Sequence, residues 1–194
     1  MKKKLFIMII LGFWIFSTAA RAEMPMDTVK AGVDMVIAVA GDKTLTDSEV
    51  KRKKMRTAIG DFFDFYVLSR LTLGRDWKNF KPDQQKEFVE LYRAILENVY
   101  MGRILAYTDE KVAFSKEIMH SEKKAEVQSK VITKNLEIPI HYRMVLRNGK
   151  WKVYDVVIEG VSLVKNYRSQ FGQMLVKESP EALLKSLREK IKET

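Results

Sequence analysis

Few side chains in this sequence are equipped for covalent or metal chemistry. There are two histidines, His120 and His141, and no cysteine. The histidines are far apart, and neither belongs to a ligand spacing such as H-E-x-x-H. No G-x-S-x-G elbow and no phosphate-cradling glycine loop is present. No motif sets a nucleophile beside a base. The expectation is therefore a protein that is not an enzyme and uses no metal or cofactor. One acid stands apart. Asp155 falls inside a run of alternating apolar residues, where a carboxylate is costly unless paired. It is either a general acid or base in the pocket of a cone-shaped α+β fold, or a structural group bonded to the Tyr142 hydroxyl or to an arginine such as Arg70 or Arg168. The structural role is the favoured one.

The elements that must position these residues follow from hydrophobic spacing. Asp27 is expected to cap a helix reaching about Ala40, with Val29, Val33, Val36 and Ile37 on one side. Thr46-x-x-Glu49 resembles a capping box opening a second helix, which carries a basic run from Lys51 to Arg56 and is expected to break near Gly60. That run either touches lipid headgroups or an acidic partner, or is simply a solvated face. Pro82 and Asp83 open a helix to about Tyr107, whose apolar face is broad enough to need more than one neighbour or a cavity. From Lys111 the period changes to two. Asn148-Gly149 fits a type I′ turn between Ile138–Leu146 and Trp151–Ile158. Uninterrupted pairing from that turn sets Met144 opposite Val153, Tyr142 opposite Asp155 and Ile140 opposite Val157. Helices from about Ser162 to Lys177 and from Pro180 to Ile191 close the chain. The fold class is α+β: a twisted antiparallel sheet of about four strands wrapped by several helices.

The first residues read as an export signal. Met1-Lys2-Lys3-Lys4, an apolar run from Leu5 to Phe16 and Ala20-x-Ala22 form the three regions of a secretory signal peptide. As a helix the run reaches about 18 Å, short of the ~30 Å bilayer core. Residues 1–22 are thus expected to be cleaved after Ala22, leaving 23–194 as a single exported domain. The chain carries a formal charge of +10. Outside the cytoplasm a basic protein meets anionic lipid headgroups more often than nucleic acid, or the charge serves solubility alone. With no disulfide available, its stability must come from its core.

Three stretches carry more specific information: Phe63-Asp64-Phe65, Ser69-Arg70-Leu71-Thr72-Leu73-Gly74-Arg75-Asp76-Trp77, and the long block from Gly149-Lys150-Trp151-Lys152-Val153-Tyr154-Asp155 through Asn166-Tyr167-Arg168-Ser169-Gln170-Phe171. With them the chain resembles the MlaC-type family, periplasmic phospholipid-binding proteins of the maintenance-of-lipid-asymmetry pathway. These are also described as toluene-tolerance proteins and include a hopanoid-associated branch. The resemblance implies a sheet wrapped by helices, a deep pocket for acyl chains and a headgroup near solvent. It implies a phospholipid cargo shuttled between an outer-membrane lipoprotein–porin complex and the lipid-binding ring of an inner-membrane ABC transporter. The departure is Lys81 before Pro82, where Thr or Ser would cap better.

Two chains of roughly sixteen carbons represent about 25 kcal/mol of burial against water, at ~0.8 kcal/mol per methylene. A carrier must offer an apolar interior of similar quality. The expected tail-contacting set joins sheet residues Ile140, Tyr142, Met144, Val153 and Val157 to helix residues Phe62, Phe65, Tyr66, Leu71, Leu96, Val99, Tyr100 and Ile104. Met144→Glu is then expected to abolish lipid loading. Arginines at the pocket mouth would favour anionic lipids, and the sequence does not place them. The carrier is expected to be a monomer. Other readings are a hopanoid or other apolar cargo, a small-molecule enzyme using Asp155, and a pure interaction protein docking through its basic helix.

Overall fold

A computed structural model describes residues 24–46, 48–106 and 111–193. The expected signal peptide lies outside these residues. The order is α1 (Pro25–Gly41), α2 (Ser48–Phe62), α3 (Phe65–Leu73), a 3-10 turn (Gly74–Asn79), α4 (Pro82–Leu105), β1 (Lys111–Ser121), β2 (Lys124–Ile132), β3 (Glu137–Arg147), β4 (Lys150–Ile158), β5 (Val161–Ser162), α5 (Leu163–Leu175) and α6 (Pro180–Lys192). The class is α+β, as expected. The strands form one antiparallel sheet in the order β1-β2-β3-β4-β5. The fifth strand is new. Two residues are too few to show alternation, so periodicity could not reveal it.

Helix ends follow local chemistry, with two departures. Pro25 lies in the first turn of α1 and Met24 is the cap residue, so Asp27 sits inside the helix, where its charge meets the N-terminal dipole. The expected pair Thr46 and Glu49 flanks residue 47, which lies outside the described residues. The second helix passes through Gly60 and stops at Phe62. The break comes at Phe63 and Asp64 because their backbone joins the sheet edge: Phe63 bridges Val153, and the Asp64 amide donates to the Val153 carbonyl at 2.8 Å. Asp64 then caps α3, its Oδ1 accepting from the Val67 amide at 2.9 Å. At α4 the Gln84 side chain accepts from the Lys81 amide at 3.0 Å. Lysine has no acceptor to return the bond, so one half of a capping box forms. Ser162 and Ser179 cap α5 and α6 as their positions suggest.

The β3–β4 hairpin matches the expected register only near its turn. Asn148 and Gly149 have φ of 51° and 74°, as a type I′ turn requires. Arg147 pairs with Lys150, Leu146 with Trp151 and Met144 with Val153. Beyond that a bulge intervenes. Arg143 pairs with Asp155, Tyr142 with Val156, His141 with Val157 and Ile140 with Ile158, leaving Tyr154 as the extra residue on β4. A one-residue shift exchanges faces. Asp155 and Val157 therefore leave the face of Tyr142 and Met144, and Val156 and Ile158 take their place.

The sheet's two faces have different partners. Ala125, Val127, Tyr142, Met144, Trp151, Val153 and Val156 pack with Val29 and Val33 of α1 and with Phe62. A second core is helical, built from Leu68, Leu73, Phe88, Tyr92, Leu96, Tyr167, Phe171 and Leu184 among others. Phe63 touches both cores. The broad apolar face of α4 is shared among α6, α3 and α1, which accounts for its width.

Candidate functional site

Asp155 lies in the floor of the sheet and is almost fully buried. Three donors converge on it: Arg143 Nη1 at 3.0 Å, the Ser162 hydroxyl at 2.7 Å and the Val164 amide at 3.0 Å. The partner is Arg143, directly across the strand because of the bulge, rather than Tyr142, Arg70 or Arg168. Arg168 instead donates to the Leu71 carbonyl at the end of α3. Arg143 also reaches Glu126 at 3.4 Å, with His141 Nδ1 3.6 Å from the same carboxylate. Burial pushes the Glu126 pKa up. Hydrogen bonds from Gln128 and Arg143 and the charges of His141 and Arg143 outweigh it, holding the carboxyl below its usual value. Asp155 thus ties β4 to β5 and to the start of α5, and its acceptor capacity is taken up by structure.

A cleft of about 410 Å³ opens on this same side of the sheet, between α3 and strands β2 to β4. It is lined by Tyr66, Val67, Arg70, Leu71, Lys124, Val145, Arg147 and Tyr154. Helical spacing explains the α3 wall: 66, 67, 70 and 71 share one side of the helix, while Leu68, Ser69 and Thr72 are buried on the other. Strand alternation explains the opposite wall. Val145 and Arg147 point away from Tyr142 and Met144, and the bulge keeps Tyr154 on the cleft side. Val67, Leu71 and Val145 are apolar walls. Arg70, Lys124 and Arg147 are cations, and no carboxylate lines the space. Burial pushes the Tyr154 phenol up, so it is a neutral donor at pH 7. A second hollow of about 150 Å³ lies between α1, α2 and the β3–β4 turn. Among the described residues no group of three or more His, Cys, Asp or Glu is arranged to hold a metal ion, and no helix is long and apolar enough to cross a membrane.

The residues expected to contact tails are distributed over several places. Tyr66 and Leu71 line the cleft. Phe65, Leu96 and Tyr100 belong to the helical core beside it. The bulge turns Val157 to the cleft side. Phe62, Ile140, Tyr142, Met144 and Val153 lie against α1 on the opposite face. Ile104 packs in a small third cluster with Ala40, Met55 and Met101, and Val99 is exposed. The helix half and most of the sheet half of the expected set therefore do not meet in one pocket. Val67, Arg70, Lys124, Val145, Arg147 and Tyr154 also line the cleft and lie outside the expected set. Alternation alone would have put Val145 and Arg147 on one face, but nothing in the sequence says that α3 covers it.

Known proteins resemble this chain over most of its length. A family model described as MlaC protein matches residues 30–189. The intermembrane phospholipid transport system binding protein MlaC of Haemophilus influenzae is 20% identical over 189 residues, 93% of this chain and 88% of that protein. The toluene tolerance protein ttg2D of Pseudomonas putida is 27% identical over 95 residues, 48% of this chain. This chain spans less than half of that relative, 44% of its length. Among solved structures, the phospholipid-binding protein from Ralstonia solanacearum, in complex with a phospholipid, superposes with a TM-score of 0.80 at 26% identity. That match covers 87% of this chain and 97% of the other.

Proposed function

The chain belongs to the MlaC family, and from that premise we propose that it is a periplasmic carrier that shelters phospholipid tails and exchanges its cargo between membranes. The observation that supports the reading most directly is the cleft: apolar side chains from two layers of the fold, exposed cations beside them, and an opening to solvent. Its size lies within the roughly 300–1,000 Å³ of small-molecule sites. Filling it with hydrocarbon removes tail surface from water at about 0.8 kcal/mol per methylene. Sheltering two whole chains requires the cleft to widen beyond this volume. The relatives' names, which speak of transport and binding, favour a carrier over a catalyst, and the engagement of Asp155 by three donors leaves no obvious acid or base.

In the fuller form of this reading, residues 1–22 are removed on export. The monomeric carrier then collects or delivers phospholipid at an outer-membrane lipoprotein–porin complex and at the lipid-binding ring of an inner-membrane ABC transporter. A carrier matched equally to both membranes shifts nothing, so direction belongs to those partners.

The test is organic extraction of the protein purified from the periplasm, followed by mass spectrometry. Phospholipid near one molecule per chain is expected, and Val145→Glu, which puts a charge on the cleft wall, should reduce it at least about tenfold. A folded wild-type protein that purifies empty would overturn the reading. Recovery of a polycyclic hydrocarbon instead would assign a hopanoid cargo.

A further inference from the structure

Three cations from three separate elements meet at the cleft: Arg70 on α3, Lys124 at the start of β2 and Arg147 at the end of β3. Some cations elsewhere on this surface find acids and, among the described residues, many others do not; what sets these three apart is that they line one cleft. Arg188 bridges Glu87 and Glu181, Arg56 and Arg93 share Glu97, and Lys130 meets Glu137. At the cleft only Arg147 does so, reaching Asp64 Oδ2 at 2.9 Å. Asp64 is itself committed through Oδ1 to the Val67 amide. The Arg147 guanidinium also lies 5.6 Å from the centroid of the Tyr66 ring. Held by a carboxylate on one side and an aromatic face on the other, its fork is oriented before any ligand arrives. Arg70 and Lys124 are exposed and meet no carboxylate among the described residues.

We infer that Arg70, Lys124 and Arg147 form a phosphate clasp at the mouth of the cleft that reads the phosphodiester of a bound lipid while the apolar walls below take its tails. The inference rests on the carrier reading and adds what that cargo must carry. Tail burial alone does not distinguish a phospholipid from a diacylglycerol with the same chains. A cationic rim does, because phosphate oxygens accept charge-assisted bonds from arginine forks and attract a lysine as a point charge. A lipid without phosphate leaves those charges facing only water. Free inorganic phosphate offers the same chemistry without tails, so the two sources need separate tests.

The protein is incubated with vesicles holding equal mole fractions of dioleoylphosphatidylglycerol, dioleoylphosphatidylethanolamine and dioleoylglycerol, re-isolated, and its lipid extracted. Wild type should load the two phospholipids over dioleoylglycerol by about tenfold, the scale of two partly exposed charge contacts. Arg70→Gln with Lys124→Gln should bring that ratio within about twofold, by lowering the phospholipid share, and Arg70→Lys should preserve it. A wild-type ratio near one, or a double variant as selective as wild type, overturns the clasp and leaves the tail carrier standing. Loading of none of the three lipids overturns the carrier reading itself. Inorganic phosphate is titrated into lipid-loaded protein in parallel. Tight binding there that the double variant abolishes would assign the clasp to free phosphate and overturn the headgroup assignment. Should the double variant fail to fold, rising salt applied to wild type decides: a ratio that falls supports the clasp, and one that holds overturns it.

Discussion

Replacing Asp155 with alanine removes the acceptor for three donors at once, and the cost can be built up donor by donor. The Ser162 hydroxyl and the Val164 amide are buried. Each orphaned buried donor costs about 1–3 kcal/mol. Arg143 keeps 32% of its side-chain surface exposed, so water replaces most of what it loses and its share is at most about 1 kcal/mol. The sum is about 4 kcal/mol. For a domain of this size each kcal/mol moves Tm by roughly 2–4 °C, so Asp155→Ala should melt about 8–16 °C below wild type. Asp155→Asn keeps an acceptor for Val164 but offers Arg143 and Ser162 an amide, so it should lie between the two. Thermal unfolding followed by far- and near-ultraviolet circular dichroism, with urea titration at one temperature, measures both. Lipid loading per folded molecule should be unchanged. An alanine variant within about 2 °C of wild type, or one that is fully stable yet loses a catalytic turnover, would refute the structural role.

Three further outcomes follow from the same packing. Met144 is fully buried against α1, so Met144→Glu should fail to accumulate as folded protein. Val145→Glu, one residue on and facing the cleft, should fold and lose lipid; a well-folded Met144→Glu protein in gel filtration would contradict this assignment of faces. A Cβ on Gly32 would lie 2.5 Å from Phe62 Cδ2, so Gly32→Ala should cost about 1–3 kcal/mol in urea unfolding, with part of it recovered on adding Phe62→Leu, and unchanged stability would mean that this contact is absent. The Glu126 carboxyl is held below its unfolded value, so its contribution is complete at neutral pH and is lost as pH falls through the folded value. Glu126→Gln should therefore narrow the stability difference between pH 7 and acid conditions below about pH 4, with identical slopes in variant and wild type arguing against the linkage.

Composition, motif absence and hydrophobic period made several levels of this protein legible before any coordinates. Helix and strand order, the Asn148-Gly149 turn and the α+β class are local properties. Each depends on a few consecutive residues and the backbone angles they permit. The family resemblance came from contiguous blocks for the same reason. Faces and contacts did not follow. The bulge at Tyr154 carries no signature, since Val, Tyr, Asp and Val alternate acceptably in either register, yet it moves Asp155 beside Arg143 and turns Val157 over.

The cleft shows the division most clearly. The sequence alone determined that apolar strands and amphipathic helices must pack, and that several basic residues would be left on the surface. Only the tertiary structure decided that α3 lies over the side of the sheet carrying Val145 rather than the side carrying Met144, and that Arg70, Lys124 and Arg147 converge at one opening. Side-chain alternation assigns residues to two faces but is symmetric between them. Which face a distant helix covers is settled by competition among long-range contacts, and those have no counterpart in the spacing of neighbouring residues.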